Sequence, residues 1–486
     1  MRKAQYVAFL LISLVLMAVS YPQPAPPAKA AGWTRGFYEI KYGGKLIYPQ
    51  FSRVLERPKG DLIAVGANHE LDGGWHKEYD VEGVILVVNS AGAPLSVRTM
   101  GAGGTDEYLY GAINTTDGGV LLYGCTATDA TTARGWVVKL DSSWKISWQK
   151  MYGKKGMRLS TANAHEMKDR GFILLTESEE DFLAAYIMKI SSKGVVQWQK
   201  KIPEPDDFNS FGVSARWSSY QRPTPVLNDS IFILGMLNTP VLPYLSAPIS
   251  VLKLNDKGVI ERAKWYLVDP ETTFVHHPRS LIATADGGAL VGFMLQVGVG
   301  IDEWSPCAMK IDSKGLPIWT VKVDFKATPD PIGNLPGAYP APNDGAIIFT
   351  DTKKTNEDSI ISISKTGEPR FARGWSYYNE IYGLEPYIYT TTREGGYVGA
   401  RGNDIWKWDR SGLLSSDCKL SAITAKTSIP SVTESDLANF PKIVSTAIPL
   451  YASKMTLRTI GVLGMKVTNN CKVTTLKRRA ISDIER

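Results

Sequence analysis

The chain has 486 residues, of which 44% are hydrophobic and 21% are charged. This composition excludes an intrinsically disordered protein and suits a modular folded core. The net charge of +7 is spread along the chain, and no nucleic-acid-binding motif occurs, so we predict no nucleic-acid partner. The 44 glycines, 22 tyrosines and 13 tryptophans favour many short strands joined by tight turns.

The N-terminus carries an export pattern. Arg2 and Lys3 precede an apolar run over residues 7–20, which is shorter than the roughly 20 residues of a membrane span. The small-x-small tripeptide Ala28-Lys29-Ala30 follows a proline-rich spacer. We therefore predict a signal peptide over residues 1–30. Cleavage after Ser20 and an uncleaved anchor remain as alternatives.

Whether the N-terminal segment is cleaved or kept as an anchor, we predict that the folded part is secreted or extracytoplasmic. Attachment to the cell surface is one form of this localisation. No later segment is long and apolar enough to span a bilayer. We therefore predict no transmembrane segment after the signal peptide.

One hairpin turn recurs along the chain. It consists of an Asp, Asn or Ser after hydrophobic residues, then two residues, then glycine. Its copies begin about 45–64 residues apart, as expected for a repeat protein. The copies are Asn89–Gly92, Asp141–Trp144, Ser191–Gly194, Asn255–Gly258, Asp312–Gly315, Ser364–Gly367 and Asp409–Gly412. The polar side chain is expected to bond back to the backbone, and the glycine to adopt a left-handed conformation.

A second turn, such as Asp117-Gly118-Gly119 or Asp286-Gly287-Gly288, precedes each hairpin and leads into an apolar strand. Each repeat then holds four strands, and four-stranded repeats of this length are typical of propeller blades. The repeats predict an all-β, seven-bladed β-propeller over residues 31–417. A parallel solenoid of β-hairpins is the competing architecture.

The N-terminus of this domain predicts ring closure. The segment Tyr38–Gly43 matches Trp148–Gly153 in character, and the latter is a fourth strand. The last repeat has Ser416 where others have an aromatic residue. We therefore predict that residues 36–43 supply the last strand of blade seven, which would leave no open sheet edge at the junction.

The repeats resemble those of secreted bacterial and archaeal β-propeller proteins. That family pattern is Asp-Gly-Gly, an apolar strand, then Lys-Leu-Asp-x-x-Gly-x-x-x-Trp, and Asp286-Gly287-Gly288 with Lys310–Trp319 follows it closely. The resemblance covers roughly residues 36 to 415 and implies the fold rather than an activity. The repeats also resemble those of quinoproteins, but three blades lack the aromatic residue, and no cofactor is predicted.

Residues 418–486 lack the propeller turns and are rich in Thr, Ser and Val. They predict a small β-rich C-terminal appendage, with Cys418 and Cys471 as disulfide partners. The alternative is two thiols on a partly ordered tail. Cys125 and Cys307 fall in strands of non-adjacent blades and are predicted to be buried thiols.

Antiparallel order predicts which face of the disc binds a ligand. The turns between strands one and two and between strands three and four share one face and are short. The other face carries the long segments 67–82, 202–220, 236–248 and 296–306. Because variable loops on a rigid scaffold are common binding sites, this long-loop face is the predicted functional face.

Exposed aromatic residues in these loops suit stacking on sugars or contact with a protein. The predicted binding residues are Trp75, His76, Trp217, Tyr220 and Trp304. Packing of these side chains within their own loops is the alternative. Two glycosylation sequons, at Asn114 and Asn228, lie near predicted turns.

No catalytic motif, phosphate loop or metal-ligand spacing is found in the sequence. The first hypothesis is therefore a non-catalytic secreted or cell-envelope scaffold that binds a glycan or an envelope protein. The alternatives are an extracytoplasmic enzyme, either a polysaccharide hydrolase or a quinoprotein-like oxidoreductase, and a structural envelope subunit.

Overall fold

A computed structural model describes most of the chain from Gly32 to Thr468. The described residues are 32–42, 45–69, 81–101, 105–129, 132–153, 159–178, 185–202, 231–236, 249–268, 273–284, 286–297, 304–325, 337–341, 345–352, 357–376, 390–411, 420–422, 425–428, 432–436, 444–445, 450–451, 456–460 and 465–468. The chain divides into Met1–Ala31 and Gly32–Arg486, and every described residue belongs to the second unit.

The described elements are all β-strands, which confirms the predicted all-β class. The strands up to residue 408 are β1 (Trp33–Tyr42), β2 (Lys45–Glu56), β3 (Leu62–His69), β4 (Gly83–Val88), β5 (Pro94–Gly101), β6 (Asp106–Asn114), β7 (Val120–Asp129), β8 (Thr132–Leu140), β9 (Ile146–Tyr152), β10 (Leu159–Glu166), β11 (Phe172–Ser178), β12 (Ala185–Ile190), β13 (Val196–Ile202), β14 (Ile231–Met236), β15 (Ile249–Leu254), β16 (Ile260–Val268), β17 (Thr273–Ala283), β18 (Ala289–Val297), β19 (Trp304–Ile311), β20 (Pro317–Phe325), β21 (Gly337–Pro340), β22 (Ala346–Thr352), β23 (Glu357–Ile363), β24 (Pro369–Ser376), β25 (Thr390–Thr391), β26 (Tyr397–Arg401) and β27 (Asp404–Trp408).

These strands form antiparallel groups in which each strand pairs with the next one in sequence. Four-stranded groups are β2–β5, β6–β9, β10–β13, β17–β20 and β21–β24. Within the described residues, β14–β16 and β25–β27 form similar groups of three. Repeated four-stranded antiparallel sheets are consistent with a propeller-like fold.

Strand β1 joins the last of these groups to the first. Its residues Trp33–Gly36 pair with Asp404–Lys407 of β27, and its residues Ile40–Tyr42 pair with Lys45–Ile47 of β2. The segment that pairs with β27 therefore lies N-terminal to the expected residues 36–43. Trp33 pairs with Lys407 as Trp148 pairs with Lys139, so Trp33, and not Tyr38, is the counterpart of Trp148.

Six apolar clusters among the described residues join neighbouring sheets. The cluster between β2–β5 and β6–β9 includes Ile85 and Trp136, both fully buried. Another cluster combines Phe37 of β1 and Phe51 of β2 with Ile405 of β27, so the first and last groups also share a core. Strands such as β4, buried along their whole length, are therefore apolar on both faces.

Six of the seven predicted hairpin turns between third and fourth strands form as predicted, and Gly412 of the seventh lies outside the described residues. In Asp141–Trp144 the Asp141 carboxylate accepts hydrogen bonds from the backbone N–H of Ser143 and Lys145 at 2.8 and 2.9 Å. Gly194 has a φ of 74°, and Trp144 takes the same left-handed conformation at 67°. The positive φ at Trp144 carries backbone strain that glycine avoids at the equivalent positions.

The other class of turn is tied to the third strand by an ion pair. Lys139, buried on β8, contacts Asp117 at 2.8 Å, and Lys310, buried on β19, contacts Asp286 at 2.9 Å. Burial alone would raise the pKa of Asp117, but hydrogen bonds from Lys139, from Thr115 and from a backbone N–H outweigh it and lower the pKa to about 2. The repeated Lys and Asp of the sequence pattern therefore fasten this turn to its sheet.

Indole rings connect neighbouring sheets. Trp148 at the start of β9 donates its N–H to the Ser192 carbonyl in the next hairpin turn, at 2.7 Å. The same contact recurs at three further junctions between sheets, as Trp33 to Ser90, Trp198 to Asp256 and Trp319 to Lys365. Trp33 of β1 thus makes with the β2–β5 sheet the same contact that Trp148, Trp198 and Trp319 each make with the sheet that follows their own.

These rings also explain the glycine of the hairpin turn. A Cβ atom on Gly194 would lie 3.0 Å from the Trp148 ring and 2.9 Å from the Lys150 side chain. Gly60, at a turn of the other class, has a φ of 88° with open space around it. Both glycines therefore adopt a positive φ, but only Gly194 also leaves the space that a neighbouring tryptophan ring occupies.

We predict that Gly194→Ala destabilises the protein more than Gly60→Ala. Both variants place Cβ in the left-handed region, at a cost of about 1 kcal/mol. Gly194→Ala must also displace Trp148, which adds about 1–3 kcal/mol. Urea denaturation followed by tryptophan fluorescence measures both free energies of unfolding. Equal losses in the two variants would contradict the proposed contact.

Candidate functional site

The direction of the strands separates two ends of each sheet. At one end lie the tight five-residue turns, such as Thr115–Gly119 and Asp141–Lys145, closed by backbone hydrogen bonds of 2.9–3.0 Å. The opposite end, called the long-loop face below, carries the connections between second and third strands and those between sheets. Described strand ends flank three of the four predicted long loops, at His69 and Gly83 for the first of them, and the segment 202–220 follows the end of β13 at Ile202.

Most predicted binding residues lie outside the described residues. These are Trp75, His76, Trp217 and Tyr220. Trp304 is described as the first residue of β19, where it pairs with Gln296 of β18. It therefore belongs to a strand end at the long-loop face and not to the loop interior.

The base of the first long loop is described in detail. The backbone N–H of Asn68 donates to the Glu82 carbonyl at 3.0 Å, and the Asn68 side-chain oxygen accepts from the Glu82 N–H. The Val81 N–H donates to the Asp106 carboxylate at 3.1 Å, and the Glu107 N–H donates to the Val81 carbonyl at 2.7 Å. The loop that contains Trp75 and His76 thus begins and ends on a hydrogen-bonded base anchored to β6.

Glu107 is the most deeply buried charged group at this base. Its side chain has no exposed surface, and its carboxylate accepts hydrogen bonds from the hydroxyls of Thr105 and Thr126, the latter at 3.1 Å. Next to it, burial and then the charge of Asp106 raise the pKa of Tyr108 to about 12. A buried carboxylate held by hydroxyls fixes the position of β6 beneath the loop.

A second polar arrangement connects three successive sheets through strands β2, β7 and β10. The Arg53 guanidinium of β2 donates to the Tyr123 hydroxyl of β7, and this hydroxyl donates to the Asn163 side-chain oxygen of β10 at 3.5 Å. The Tyr123 side chain is 1% exposed, so its hydroxyl depends on these partners. Sequence reasoning missed this set because Tyr123 lies in an apolar run that is typical of a core strand.

Of the two predicted sequons, the structure describes Asn114, whereas Asn228 lies outside the described residues. Asn114 ends β6, and its side-chain nitrogen, the atom to which a glycan would be attached, donates to the Glu56 carbonyl of the neighbouring sheet at 2.7 Å. A glycan on Asn114 would have to disrupt this contact between sheets.

The cysteines are described in part. Cys125 and Cys307 are buried thiols, as predicted, and the Cys125 sulfur lies 3.1 Å from the Tyr110 hydroxyl. Cys418 and Cys471 lie outside the described residues, so their predicted disulfide stays a prediction.

Within the part of the chain that the structure describes, no group of three His, Cys, Asp or Glu residues is arranged to hold a metal ion. In the same residues, no helix has the length and apolarity needed to cross a membrane.

Comparison with solved structures finds matches of low similarity. A crystal structure of a protein of unknown function from Bacteroides caccae aligns with 62% of this chain and 94% of its own, with 11% sequence identity and a TM-score of 0.31. No family model and no curated protein matches the sequence.

We predict that the hydroxyl of Thr126 stabilises the base of the first long loop. Thr126→Val keeps the shape of the side chain but removes a donor to the buried Glu107 carboxylate, at a cost of about 1–2 kcal/mol. Thr99→Val is the matched control, because the buried Thr99 hydroxyl has no hydrogen-bond partner among the described residues.

Urea denaturation measures the two free energies of unfolding, and amide hydrogen exchange at Glu107 reports on the base itself. Thr99→Val is expected to be neutral. An equal cost for both variants, with unchanged exchange at Glu107, would contradict the role given to Thr126.

Proposed function

We propose that this chain is an exported, seven-bladed β-propeller that acts as a non-catalytic binding scaffold through its long-loop face. Its ligand would be a glycan or a protein of the cell envelope. The proposal takes each group of strands defined above as one blade, with β25–β27 completed by β1.

Contacts between first strands support the ring. Strand β2 contacts β6, β6 contacts β10, β17 contacts β21, and β25 contacts β2. First strands that contact each other in succession, and finally the first of them again, are expected when they line a central axis. The shared core of β1, β2 and β27 supports closure at the same place.

The observation that carries the proposed binding role is the separation of the two ends. The described turns at one end are short and closed by backbone hydrogen bonds, and the first polar side chain of a hairpin turn, such as Asp141 or Asn255, bonds back to the turn backbone. The predicted aromatic residues belong to sequence segments that join strands at the other end, and the described base of the first of these segments is held by Asp106 and Glu107. A rigid base under a variable loop is the arrangement in which binding residues commonly occur.

Export is supported by the sequence pattern of residues 1–30 alone. The buried thiols Cys125 and Cys307 lie in sheets that are not neighbours, so they do not form a disulfide with each other. Their free state is therefore compatible with an oxidising as well as a reducing compartment.

A glycan array tests the binding role. The mature chain, labelled with a fluorophore, is expected to bind one class of glycan, and Trp75→Ala and Trp304→Ala are each expected to weaken binding about tenfold or more. Trp148→Phe is the control, since this ring lies at the tight-turn end and contacts Ser192.

Binding that falls equally in Trp148→Phe would contradict the choice of face. Release of reducing ends from a bound polysaccharide would favour the hydrolase alternative and contradict a non-catalytic role. If no glycan binds, the proposed ligand is a protein of the cell envelope. Binding of envelope proteins is then compared between the wild type and the same two tryptophan variants.

A further inference from the structure

The C-terminal residues follow the rim of the sheets. Their described strands are β28 (Leu420–Ala422), β29 (Ala425–Ser428), β30 (Val432–Asp436), β31 (Val444–Ser445), β32 (Leu450–Tyr451), β33 (Thr456–Ile460) and β34 (Met465–Thr468). Each pairs antiparallel with the last strand of a sheet: β28 with β24, β29 with β20, β30 with β16, β31 with β13, β32 with β9, β33 with β5 and β34 with β1. We call residues 420–468 the rim strap.

The strap visits the sheets in the reverse of their order along the chain, and then reaches β1. This differs from the separate appendage expected from the sequence, because the strap strands are fifth members of the sheets themselves. A reverse order is what a chain produces when it leaves the last sheet and passes back along the row of neighbours.

The strap covers edges that are otherwise open. The last strand of a sheet has the third strand on one side, and its other side carries a row of backbone N–H and C=O groups. On β16 the strap pairs with Lys264–Val268, and on β5 it pairs with Val97–Gly101. Open edges of this kind pair readily with another chain.

The rim strap is attached to the sheets by several short β-ladders. Its described strands are two to five residues long, so each ladder alone is weak. Because the ladders lie on one chain, pairing of one raises the local concentration of the next at its own edge. Loss of one ladder therefore opens one edge without releasing the others.

We propose that the rim strap keeps the blade edges from pairing with a second copy of this chain. When a strap strand is displaced, the freed last strand pairs edge to edge with the same strand of another copy. Such a contact is antiparallel and two-fold symmetric, so two identical edges satisfy each other and a dimer closes. This proposal rests on the strand pairing alone and is independent of the proposed ligand.

Paired proline substitutions test the strap. Proline removes the backbone N–H and opposes ladder pairing. Thr433→Pro with Glu434→Pro, opposite Leu267 and Tyr266 of β16, affects two consecutive positions, so a hydrogen-bonded one is included. Thr433→Ala with Glu434→Ala is the control, because it changes the same side chains and keeps both N–H groups.

Mass is measured by light scattering over a hundredfold range of concentration. The proline variant is expected to become a dimer at concentrations where the wild type and the alanine control remain at the mass of a single chain. A synthetic peptide of residues 425–440 is expected to return the proline variant to that mass. A second proline pair at Arg458 and Thr459, opposite β5, is expected to behave in the same way.

Two results would overturn the proposal. One is a proline variant that keeps the mass of a single chain although hydrogen exchange shows faster exchange in β16. The other is association that the peptide does not reverse, since this would reflect general unfolding. If the double variant loses its β-sheet circular dichroism, the single variant Thr433→Pro is measured with the same criteria.

Discussion

The structure depends on the fact that its sheets are apolar on both faces. A strand such as β4 is buried along its whole length, so its sheet must be covered on each side by another sheet. An open row of such sheets would leave one apolar face exposed at each end. Strand β1 resolves this by pairing with β27 and continuing into β2, and its Phe37 lies in a core that both end groups share.

This constraint also sets where chemistry can occur. The antiparallel order brings the described tight turns to one end of the sheets, where backbone hydrogen bonds close them and the first polar side chain of a hairpin turn bonds to the turn backbone. Variation in length is left to the opposite end, where the base of the first long loop rests on Asp106 and Glu107. Hydrogen bonds from Arg53 of β2 to Tyr123 of β7, and from Tyr123 to Asn163 of β10, connect three successive sheets. The rim strap pairs with the last strands and so covers the outer edges of the sheets.

Much of the fold could be predicted from the sequence because its signals are local. A hairpin turn needs an Asp, Asn or Ser and a left-handed residue within a few positions, so it can be recognised without knowing its neighbours. The buried Lys310 and the indole of Trp319 also stand at fixed distances from Asp312. Register is harder, because Tyr38–Gly43 and Trp33–Gly36 both resemble a fourth strand, and only pairing with β27 distinguishes them.

The rim strap and the candidate site depend on contacts between distant residues. Strap strands of two to five residues carry too little pattern to be recognised, and no turn signal separates them. The Tyr123 hydroxyl gains its role only because Arg53 and Asn163 come from two other sheets. For the first long loop, the structure describes the hydrogen-bonded base at Asn68, Val81 and Glu107, which no local sequence signal marks.

Removal and return of strand β1 tests the central claim, closure by the N-terminal strand, most directly. A chain that lacks residues 32–42 is denatured in urea, alone and with a synthetic peptide of those residues, and the midpoint is read from tryptophan fluorescence. Closure by β1 predicts a lower midpoint for the shortened chain and recovery as the peptide concentration rises. A midpoint equal to that of the complete chain, with no response to the peptide, would contradict it.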